Sequence, residues 1–268
     1  MTSRDNKITN NWNPFSNKKD NKVFITDLVQ MDYPFYRYMC MEKLINFLNT
    51  GEIVFSYPSK WKDPYERYFV EANYQVLKFN KPATYCACFT QKKENESSWI
   101  SYSYYNDGDN KHSARVKFDM NLFLDLLNRK NYKKKIEFRL GLVSYELQDR
   151  SIKSLGKKSS KYYKEAFNNF SNDKYADLLL IKRKAFESEV ESRLIITVDD
   201  VQDTDGLLVE LDPKDVRSVV KEITIDPICE ESKANSFIAR IKSVLNDNSI
   251  DVSQSDLYNK VKPLTIYV

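Results

Sequence analysis

The chain has 268 residues, of which 41% are hydrophobic and 13% aromatic, enough to build a sizeable core. Its 42 basic and 38 acidic residues leave a formal net charge of +4, too small to identify a nucleic-acid-binding protein by itself. The single histidine, His112, argues against a histidine base and against histidine metal ligands. With five glycines and neither a G-x-G-x-x-G nor a G-K-[ST] motif, Rossmann and Walker-type nucleotide binding are not expected.

The four cysteines are Cys40, Cys86, Cys88 and Cys229. Their spacing fits neither a zinc site nor a disulfide framework. The N-terminus is polar and has no signal-peptide core, and no apolar run approaches the ~18 residues of a membrane span. We therefore expect a reduced, soluble, cytoplasmic protein with no metal and no membrane association.

Residues 1–22 are rich in Asn, Lys, Ser and Asp and are expected to form a poorly ordered arm, with one domain over residues 23–268. Apolar residues at helical spacing predict helices over Met41–Asn49, Ser97–Tyr105, Asn121–Asn128, Ser159–Phe170, Asp173–Ile181 and Cys229–Asn246. Alternating or continuous apolar runs predict strands over Phe35–Tyr38, Glu52–Ser56, Ala83–Thr90, Ser113–Phe118, Leu140–Tyr145, Phe186–Ile196, Leu207–Leu211, Val219–Ile225 and Thr265–Val268. The stretch from Tyr57 to Glu66 contains two prolines and is predicted to be a loop.

Strands and helices are mixed without strict alternation, so the fold class is predicted to be α+β. We expect a single domain with a mixed central sheet and flanking helices.

The segment Phe186–Ile196 is the most informative part of the chain. Read as one strand, it places Glu187, Glu189, Glu191 and Arg193 on one face, since side chains alternate. Carboxylates in a row repel one another, so such a strand either lies on a wetted edge or uses the charge. Exposed pairing with neighbouring lysines is the simpler interpretation.

Three motifs follow one another along the chain. The first is W-K-D-P-Y-E at residues 61–66, the second is C-F-T at 88–90 followed by W-I-S-Y at 99–102, and the third is E-V-E-S-R at 189–193. This order resembles a bacterial family of uncharacterised domains with an F/W-x-D-P-x-E turn, a W-x-x-Y helix and an E-x-E-x-R strand. The resemblance covers about residues 33–230. In that family a histidine often precedes the tyrosine of the helix, whereas Ser101 stands there in this chain.

The same layout is similar to the ADP-ribosyltransferase superfamily, particularly its toxin and phage-defence branches that modify nucleic acid. The resemblance implies a split, mixed sheet of the ADP-ribosyltransferase type and NAD as co-substrate. It further implies that Glu191 is the catalytic glutamate, with Glu189 two residues before it. The residues implied to contact NAD lie on the first strand and the central helix, namely Tyr36, Arg37, Tyr38, Ser101 and Tyr102.

Because neighbours on a strand alternate, either Arg37 or its tyrosine neighbours should face the cleft, but not both. Arg193 is expected to be structural, orienting a glutamate or pairing with Asp63 or Glu66. Trp99 and Tyr102 at helical spacing are also consistent with ordinary core residues.

The chemistry of ADP-ribose transfer suits this composition. Loss of nicotinamide from NAD passes through a state resembling an oxocarbenium ion, as in glycoside hydrolysis. A carboxylate can stabilise that positive charge, an arginine can hold the pyrophosphate, and aromatic rings can cover the flat groups. Neither a histidine nor a metal is required.

The densest basic run is R-K-N-Y-K-K-K at residues 129–135. Such a run is usually a solvated helix end, but it can also contact phosphates while Tyr132 stacks on a base. The candidate nucleic-acid-binding residues are Arg129, Lys130, Tyr132, Lys133 and Lys134. These residues favour RNA or DNA as the acceptor. The resemblance to toxin-type ADP-ribosyltransferases implies a nucleic-acid acceptor, with RNA favoured, and an antitoxin or chaperone partner that protects the host.

Two alternatives remain open. In a metal-dependent nuclease, the carboxylates of Asp63, Glu66, Glu189 and Glu191 would bind Mg²⁺, although such sites usually place a lysine where Arg193 stands. In a non-catalytic interaction module, the basic run and the aromatic surface would bind a partner without any chemistry.

Overall fold

The computed structural model describes residues 22–25, 29–72, 78–100, 112–130, 136–147, 167, 170–198, 206–247 and 249–258. These residues form a single α+β domain with a mixed sheet and several helices. Of the helices described, none combines the length and hydrophobicity that a membrane crossing requires.

The strands are β1 (Lys22–Ile25), β2 (Phe35–Cys40), β3 (Glu52–Ser56), β4 (Ala83–Thr90), β5 (Ser113–Phe118), β6 (Ile136–Leu142), β7 (Ser144–Leu147), β8 (Ile181–Arg183), β9 (Glu191–Val198), β10 (Gly206–Glu210), β11 (Val220–Ile225) and β12 (Asp251–Gln254). Ten of them form one sheet in the order β1-β6-β9-β4-β2-β5-β11-β12, with β3 and β10 attached at β4. The pairs β1/β6 and β11/β12 are parallel and the others antiparallel, while β7 and β8 form a separate parallel pair.

The helices are α1 (Met41–Thr50), α2 (Pro64–Glu71), α3 (Glu96–Trp99), α4 (Met120–Arg129), α5 (Asn172–Leu178), α6 (Pro213–Val219) and α7 (Glu231–Leu245). Several begin at aspartates whose carboxylates accept a backbone N–H of the first turn, as Asp63 does for α2 and Asp119 for α4. α1 ends at Gly51, which takes the left-handed conformation at φ 75°.

The sheet forks at β4. Thr90 of β4 pairs with Tyr36 of β2, whereas Cys86 of the same strand pairs with Ser56 of β3. Each junction is a single residue pair, so β2 and β3 diverge from β4 and leave a gap between them. β3 and β10 form a two-stranded ribbon on one branch of this fork.

The two faces of the sheet differ in character. The first face carries Phe35, Phe89 and Phe118 and packs into the main hydrophobic core with α1, α4, α6 and α7. The second face carries Cys86 and Ile195, which pack against α5 and α2 in a smaller core. Paired residues point to the same face of a sheet, so the Tyr36–Thr90 and Thr90–Glu191 pairs place all three residues on the second face.

Most predicted elements are confirmed within one or two residues. They include α1, β3, β4, β5, α4, β10, β11 and α7. The prediction of a loop from Tyr57 to Glu66 is wrong at its end, because Pro64 occupies the first turn of α2 after the Asp63 cap. The predicted strand Leu140–Tyr145 is wrong as one element, since β6 ends at Leu142 and β7 begins at Ser144.

The single Glu-rich strand over Phe186–Ile196 is wrong in its first half. Residues Lys184–Glu189 form a 3-10 helix, and Val190 then takes a left-handed conformation at φ 44° before β9 begins at Glu191. Glu187 and Glu189 are therefore not on a strand, and their positions do not alternate with that of Glu191. Several other predicted features lie outside the described residues: the arm over residues 1–21, the strand Thr265–Val268 and most of the helix Ser159–Phe170.

Candidate functional site

A cleft of about 710 Å³ opens on the second face of the sheet, beside the fork. It is enclosed by β2, β3, β4 and β9, by α2 with the loop before it, and by β8 with the 3-10 helix that follows. Its lining residues are Arg37, Tyr38, Ser56, Lys60, Trp61, Lys62, Asp63, Pro64, Glu66, Cys86, Cys88, Lys182, Arg183, Phe186, Glu189, Glu191 and Arg193.

Glu191 lies at the start of β9 with only 2% of its surface exposed. Arg193, two residues later on the same face, donates from Nε to Glu191 Oε1 at 2.8 Å and from Nη2 to Oε2 at 3.0 Å. The Glu191 backbone N–H donates to the hydroxyl of Tyr145 at 2.7 Å. The carboxylate is therefore fixed from both its side chain and its backbone.

Lys182 of β8 connects the two glutamates of the E-x-E motif. Its Nζ donates to Glu189 Oε2 at 2.6 Å and to Glu191 Oε2 at 3.1 Å, and lies 3.8 Å from Glu66 Oε1. Sequence reasoning missed Lys182, because it reaches the site from a different strand. Its only signal is a lysine that directly follows the apolar run Leu178–Ile181, just before the Glu-rich segment.

Glu66 closes the cluster from α2. It accepts a hydrogen bond from Nη2 of Arg193, so that Arg193 bridges Glu66 and Glu191. This confirms the prediction that Arg193 orients a glutamate and pairs with Glu66. Asp63 instead receives two hydrogen bonds of 3.0 Å from Arg183, whose guanidinium lies 4.3 Å from the centre of the Tyr65 ring.

The three carboxylates differ in acidity although they share two cations. Burial alone would raise the pKa of Glu191, but Arg193 and Lys182 lower it to about 2. Burial raises the pKa of Glu189 above its ordinary value despite Lys182, and it raises that of Glu66 despite Arg193. Burial alone would lower the pKa of Lys182, yet Glu191, Glu66 and Glu189 raise it, so the ammonium stays charged. Two carboxylates with pKa values displaced in opposite directions can take different roles in one reaction.

Arg37 lies in the fork of the sheet. Its Nη2 donates to the backbone oxygen of Val54 on β3 at 3.2 Å, and its guanidinium lies 5.7 Å from the centre of the Phe89 ring. Its Nη1 is buried and has no hydrogen-bond partner among the residues described. Burial lowers the pKa of Arg37. Arg37 therefore brings a positive charge to the wall of the cleft, although its Nη1 atom is not itself exposed there.

Tyr38 also lines the cleft, with its ring edge-on to Trp99 at 4.8 Å and its pKa raised to about 12 by burial. The prediction that only one of Arg37 and its tyrosine neighbours reaches the cleft is therefore wrong, because the fork lets the cleft contact both faces of β2. Tyr36 does not line it. The Tyr36 ring packs under the guanidinium of Arg115 at 4.6 Å.

The lining carries more positive than negative charge. Six of its residues are cationic, namely Arg37, Lys60, Lys62, Lys182, Arg183 and Arg193, against the four carboxylates of Asp63, Glu66, Glu189 and Glu191. An excess of two positive charges in a concave, partly apolar site favours a dianionic ligand.

Two of the predicted nucleic-acid-binding residues, Arg129 and Lys130, are not brought to this cleft. Arg129 and Lys130 lie at the end of α4, which packs on the first face of the sheet, and neither borders the cleft. Arg129 pairs with Asp125 one turn earlier. The other predicted residues lie outside the described part of the chain: Ser101, Tyr102, Tyr132, Lys133 and Lys134.

Within the described ranges, no group of three or more His, Cys, Asp and Glu side chains is arranged to hold a metal ion. The Glu66, Glu189 and Glu191 carboxylates do converge, but Lys182 and Arg193 occupy the space between them. The four cysteines are all free thiols, as the sequence predicted. No model of a known protein family, no curated protein and no solved structure matches the chain.

Proposed function

We propose that the protein is an NAD-dependent ADP-ribosyltransferase that transfers ADP-ribose to a nucleic acid, RNA in preference to DNA, as a toxin or antiviral effector. The observation that carries the proposal is one cleft lined both by Arg37 and Tyr38 of the first predicted site strand and by Glu189 and Glu191. These groups lie 151 or more positions apart in the sequence, yet they line the same cleft.

Binding of NAD is supported by the charge and the rings of the cleft. The pyrophosphate carries two negative charges, matching the excess positive charge of the lining, to which Arg37 contributes. The rings of Trp61 and Phe186 line the same cleft and can cover the flat nicotinamide group.

The transfer step uses the opposite acidities of the glutamates. The bond between the ribose C1′ and the nicotinamide nitrogen breaks, its electron pair leaves with nicotinamide, and positive charge develops on the sugar. Ionised Glu191 stabilises that charge electrostatically. An acceptor N–H or O–H then attacks C1′ and releases its proton. Glu189, with its raised pKa, is the better proton acceptor of the two.

Lys182 has a defined part in this arrangement. The oxygens of Glu191 already accept from Arg193 and Lys182, so a ribose hydroxyl gains direct access to Oε2 only by replacing the Lys182 ammonium as donor. Lys182 therefore has to move away from Glu191 when the ribose binds, because its positive charge would oppose the developing sugar cation.

A nucleic-acid acceptor is supported by the residues at the mouth. Lys60 and Lys62 are exposed on either side of Trp61 and border the cleft. Lysines beside an aromatic ring are a common arrangement for contacting phosphates and bases of a single strand.

The metal-dependent nuclease is the weaker proposal. A divalent cation would have to displace both Lys182 and Arg193 from the carboxylates before it could bind them. Among the residues described, no group of three or more acidic, histidine or cysteine side chains is arranged to bind the metal ion that a nuclease would need.

The decisive experiment incubates the purified full-length chain with NAD labelled in the adenylate part, together with separate RNA, DNA and protein acceptors. We expect release of nicotinamide and transfer of label to RNA. Nicotinamide release with label on protein alone would retain the enzyme class and reject the acceptor. No release under any condition would reject the function.

Glu191→Gln tests the chemistry itself. Removal of the charge is expected to lower the rate of nicotinamide release by at least about 100-fold, because the amide cannot stabilise the sugar cation. Glu66→Gln is the matched control, since it also removes a carboxylate from Arg193. Both variants should lose stability, so rates are compared below the unfolding temperature of each. Equal rates in the parent and Glu191→Gln would point to a non-catalytic module or another chemistry.

A further inference from the structure

A second cleft, of about 500 Å³, lies between α1 and α7 on the first face of the sheet. It shares no lining residue with the candidate active site. Its lining residues are Cys40, Met41, Glu42, Ile45, Asn46, Asn49, His112, Lys233, Phe237 and Arg240. Its volume falls in the range of small-molecule sites, which is roughly 300–1,000 Å³.

One wall of this cleft combines two cations with an aromatic ring. Lys233, Phe237 and Arg240 are spaced at four and three residues along α7, so they share one helix face, with the ring between the two charges. Both cations are exposed, while the Phe237 ring is half-buried. This pattern offers a surface for a flat ring with charge partners for an anionic group on either side.

The sole histidine of the chain lies beside that ring. The His112 and Phe237 ring centres are 5.8 Å apart, at an angle of 58°. Burial and the nearby Lys233 lower the pKa of His112, although Asp226 opposes them, so the imidazole is neutral at pH 7. A neutral imidazole has one donor and one acceptor nitrogen.

The opposite wall and the floor complete the site. Asn46 and Asn49 of α1 supply amide groups that both donate and accept, although Asn46 also donates to Glu52 at 2.7 Å. Met41 and Ile45 are buried beneath them and form an apolar floor. Lys233 and Arg240 outnumber the one lining carboxylate, Glu42.

We propose that this second cleft binds a mononucleotide, with its base against Phe237 and its phosphate held by Arg240 on one side of that ring, while Lys233 adds positive charge on the other side. The amides of α1 and the imidazole of His112 hydrogen-bond the base or the ribose. An inorganic anion would leave the ring and the amides unused, and an uncharged heterocycle would leave the cations unused. A nucleotide uses all three kinds of group. The site is separate from the proposed transferase cleft and does not depend on that activity.

Calorimetric titration of the full-length chain with adenosine, guanosine, cytidine and uridine 5′-monophosphates tests the proposal. We expect at least one nucleotide to bind with a dissociation constant below about 1 mM. Arg240→Glu should weaken that binding by about tenfold or more, since a charge-assisted hydrogen bond is replaced by repulsion. Lys242→Glu is the matched control, because Lys242 is exposed on the same helix but does not line the cleft.

Further titrations determine which part of the nucleotide is recognised and which of the two clefts binds it. Inorganic phosphate and the unphosphorylated nucleoside should each bind at least about tenfold more weakly than the nucleotide. Phosphate binding as tightly as the nucleotide would reduce the site to an anion patch and overturn the proposal. Equal weakening by Lys242→Glu would also overturn it, as would a loss caused by Lys60→Glu in the other cleft but not by Arg240→Glu. Absence of binding for all four nucleotides would overturn it directly.

Discussion

Glu191 and Arg193 are almost completely buried as an ion pair, and Lys182 and Glu66 extend the pair into a cluster. Burying charges costs several kcal/mol per ion, and replacement by well-packed apolar residues is often no less stable. A cluster of three carboxylates and two cations is therefore a costly way to fill a core. Its position beside a cleft fits a role in binding or chemistry better than a role in stability.

The pH dependence of stability follows from the lowered pKa of Glu191. Its pKa falls from 4.5 in the unfolded chain to about 2 in the folded one, so its contribution is complete above pH 4.5 and is lost as the pH falls towards 2. This shift corresponds to about 3 kcal/mol of unfolding free energy. Urea denaturation of the parent between pH 6 and 2 should show this loss, using the intrinsic fluorescence of the tryptophans.

Glu189 and Glu66 act in the opposite sense, since their raised pKa values favour the folded state as they become protonated. The parent curve alone therefore understates the effect of Glu191. The difference between the parent and Glu191→Gln isolates it, and should shrink as the pH falls below 4.5. A difference that stays constant down to pH 2 would contradict the ionised state assigned to Glu191.

At the scale of elements, the turn at Val190 sets the relative positions of Glu189 and Glu191. Val190 is a β-branched residue at φ 44°, a conformation that costs about 1–2 kcal/mol. The Thr90 hydroxyl holds the turn with its single proton, which is shared between the backbone oxygens of Glu189 at 3.1 Å and Val190 at 2.9 Å. The turn brings Glu189 and Glu191 to the same lysine from two different elements, the 3-10 helix and β9, instead of side by side on one face of a strand.

Substitutions at Val190 test this turn. Val190→Gly removes the strain but adds freedom to the unfolded chain, so stability should stay within about 1 kcal/mol of the parent. Val190→Pro cannot adopt a positive φ and should cost about 3 kcal/mol or more. Thermal unfolding and NAD turnover measure both effects. A proline variant with parental stability would mean that the turn is not as described.

The turn also explains how far the sequence could predict the structure. Alternation in Ser113–Phe118 and the apolar run Ala83–Thr90 predict β5 and β4 correctly, because burial on one or both faces leaves a clear local pattern. The segment before Glu191 has the same pattern and is not a strand. Its conformation depends on Thr90, which precedes Glu189 by 99 positions in the sequence, and no local propensity records that contact.

The residues of the site could be predicted from the sequence in part, but their arrangement could not. Glu191 with Arg193, and Arg37 with Tyr38, could be selected from motif order and residue chemistry. Their meeting across a forked sheet, and the insertion of Lys182 between the glutamates, depend on strand pairings that a single sequence does not specify. Membership of the ADP-ribosyltransferase superfamily stays a prediction.

At the scale of the whole molecule, positive charge occurs both at the mouth of the cleft and on the opposite face of the sheet. Lys60 and Lys62 border the cleft, whereas Arg129 and Lys130 lie on α4 behind the first face. The double variant Lys60→Glu/Lys62→Glu should lower RNA modification by about tenfold and reduce the salt dependence of RNA binding by about two phosphate contacts.

Arg129→Glu/Lys130→Glu makes the same change of charge away from the cleft and serves as the comparison. If both variants weaken RNA binding, the acceptor is long enough to reach around the sheet, and short oligonucleotides should be affected only by the first variant. If only the second weakens binding, the mouth of the cleft does not contact the acceptor. Filter binding at several salt concentrations separates these results.

The forked sheet has a consequence for the motion of the molecule. β4 and β9 share eight consecutive residue pairs, whereas the β3–β10 ribbon joins β4 through the Ser56–Cys86 pair alone. The ribbon is therefore held to β4 by fewer backbone pairings than β9 is, and its amides should exchange with deuterated solvent before those of β9. Ser56 and Arg37 lie where the ribbon meets the rest of the sheet, and both line the candidate active site. A ligand bound in that cleft should therefore slow the exchange of the ribbon amides more than that of any other strand.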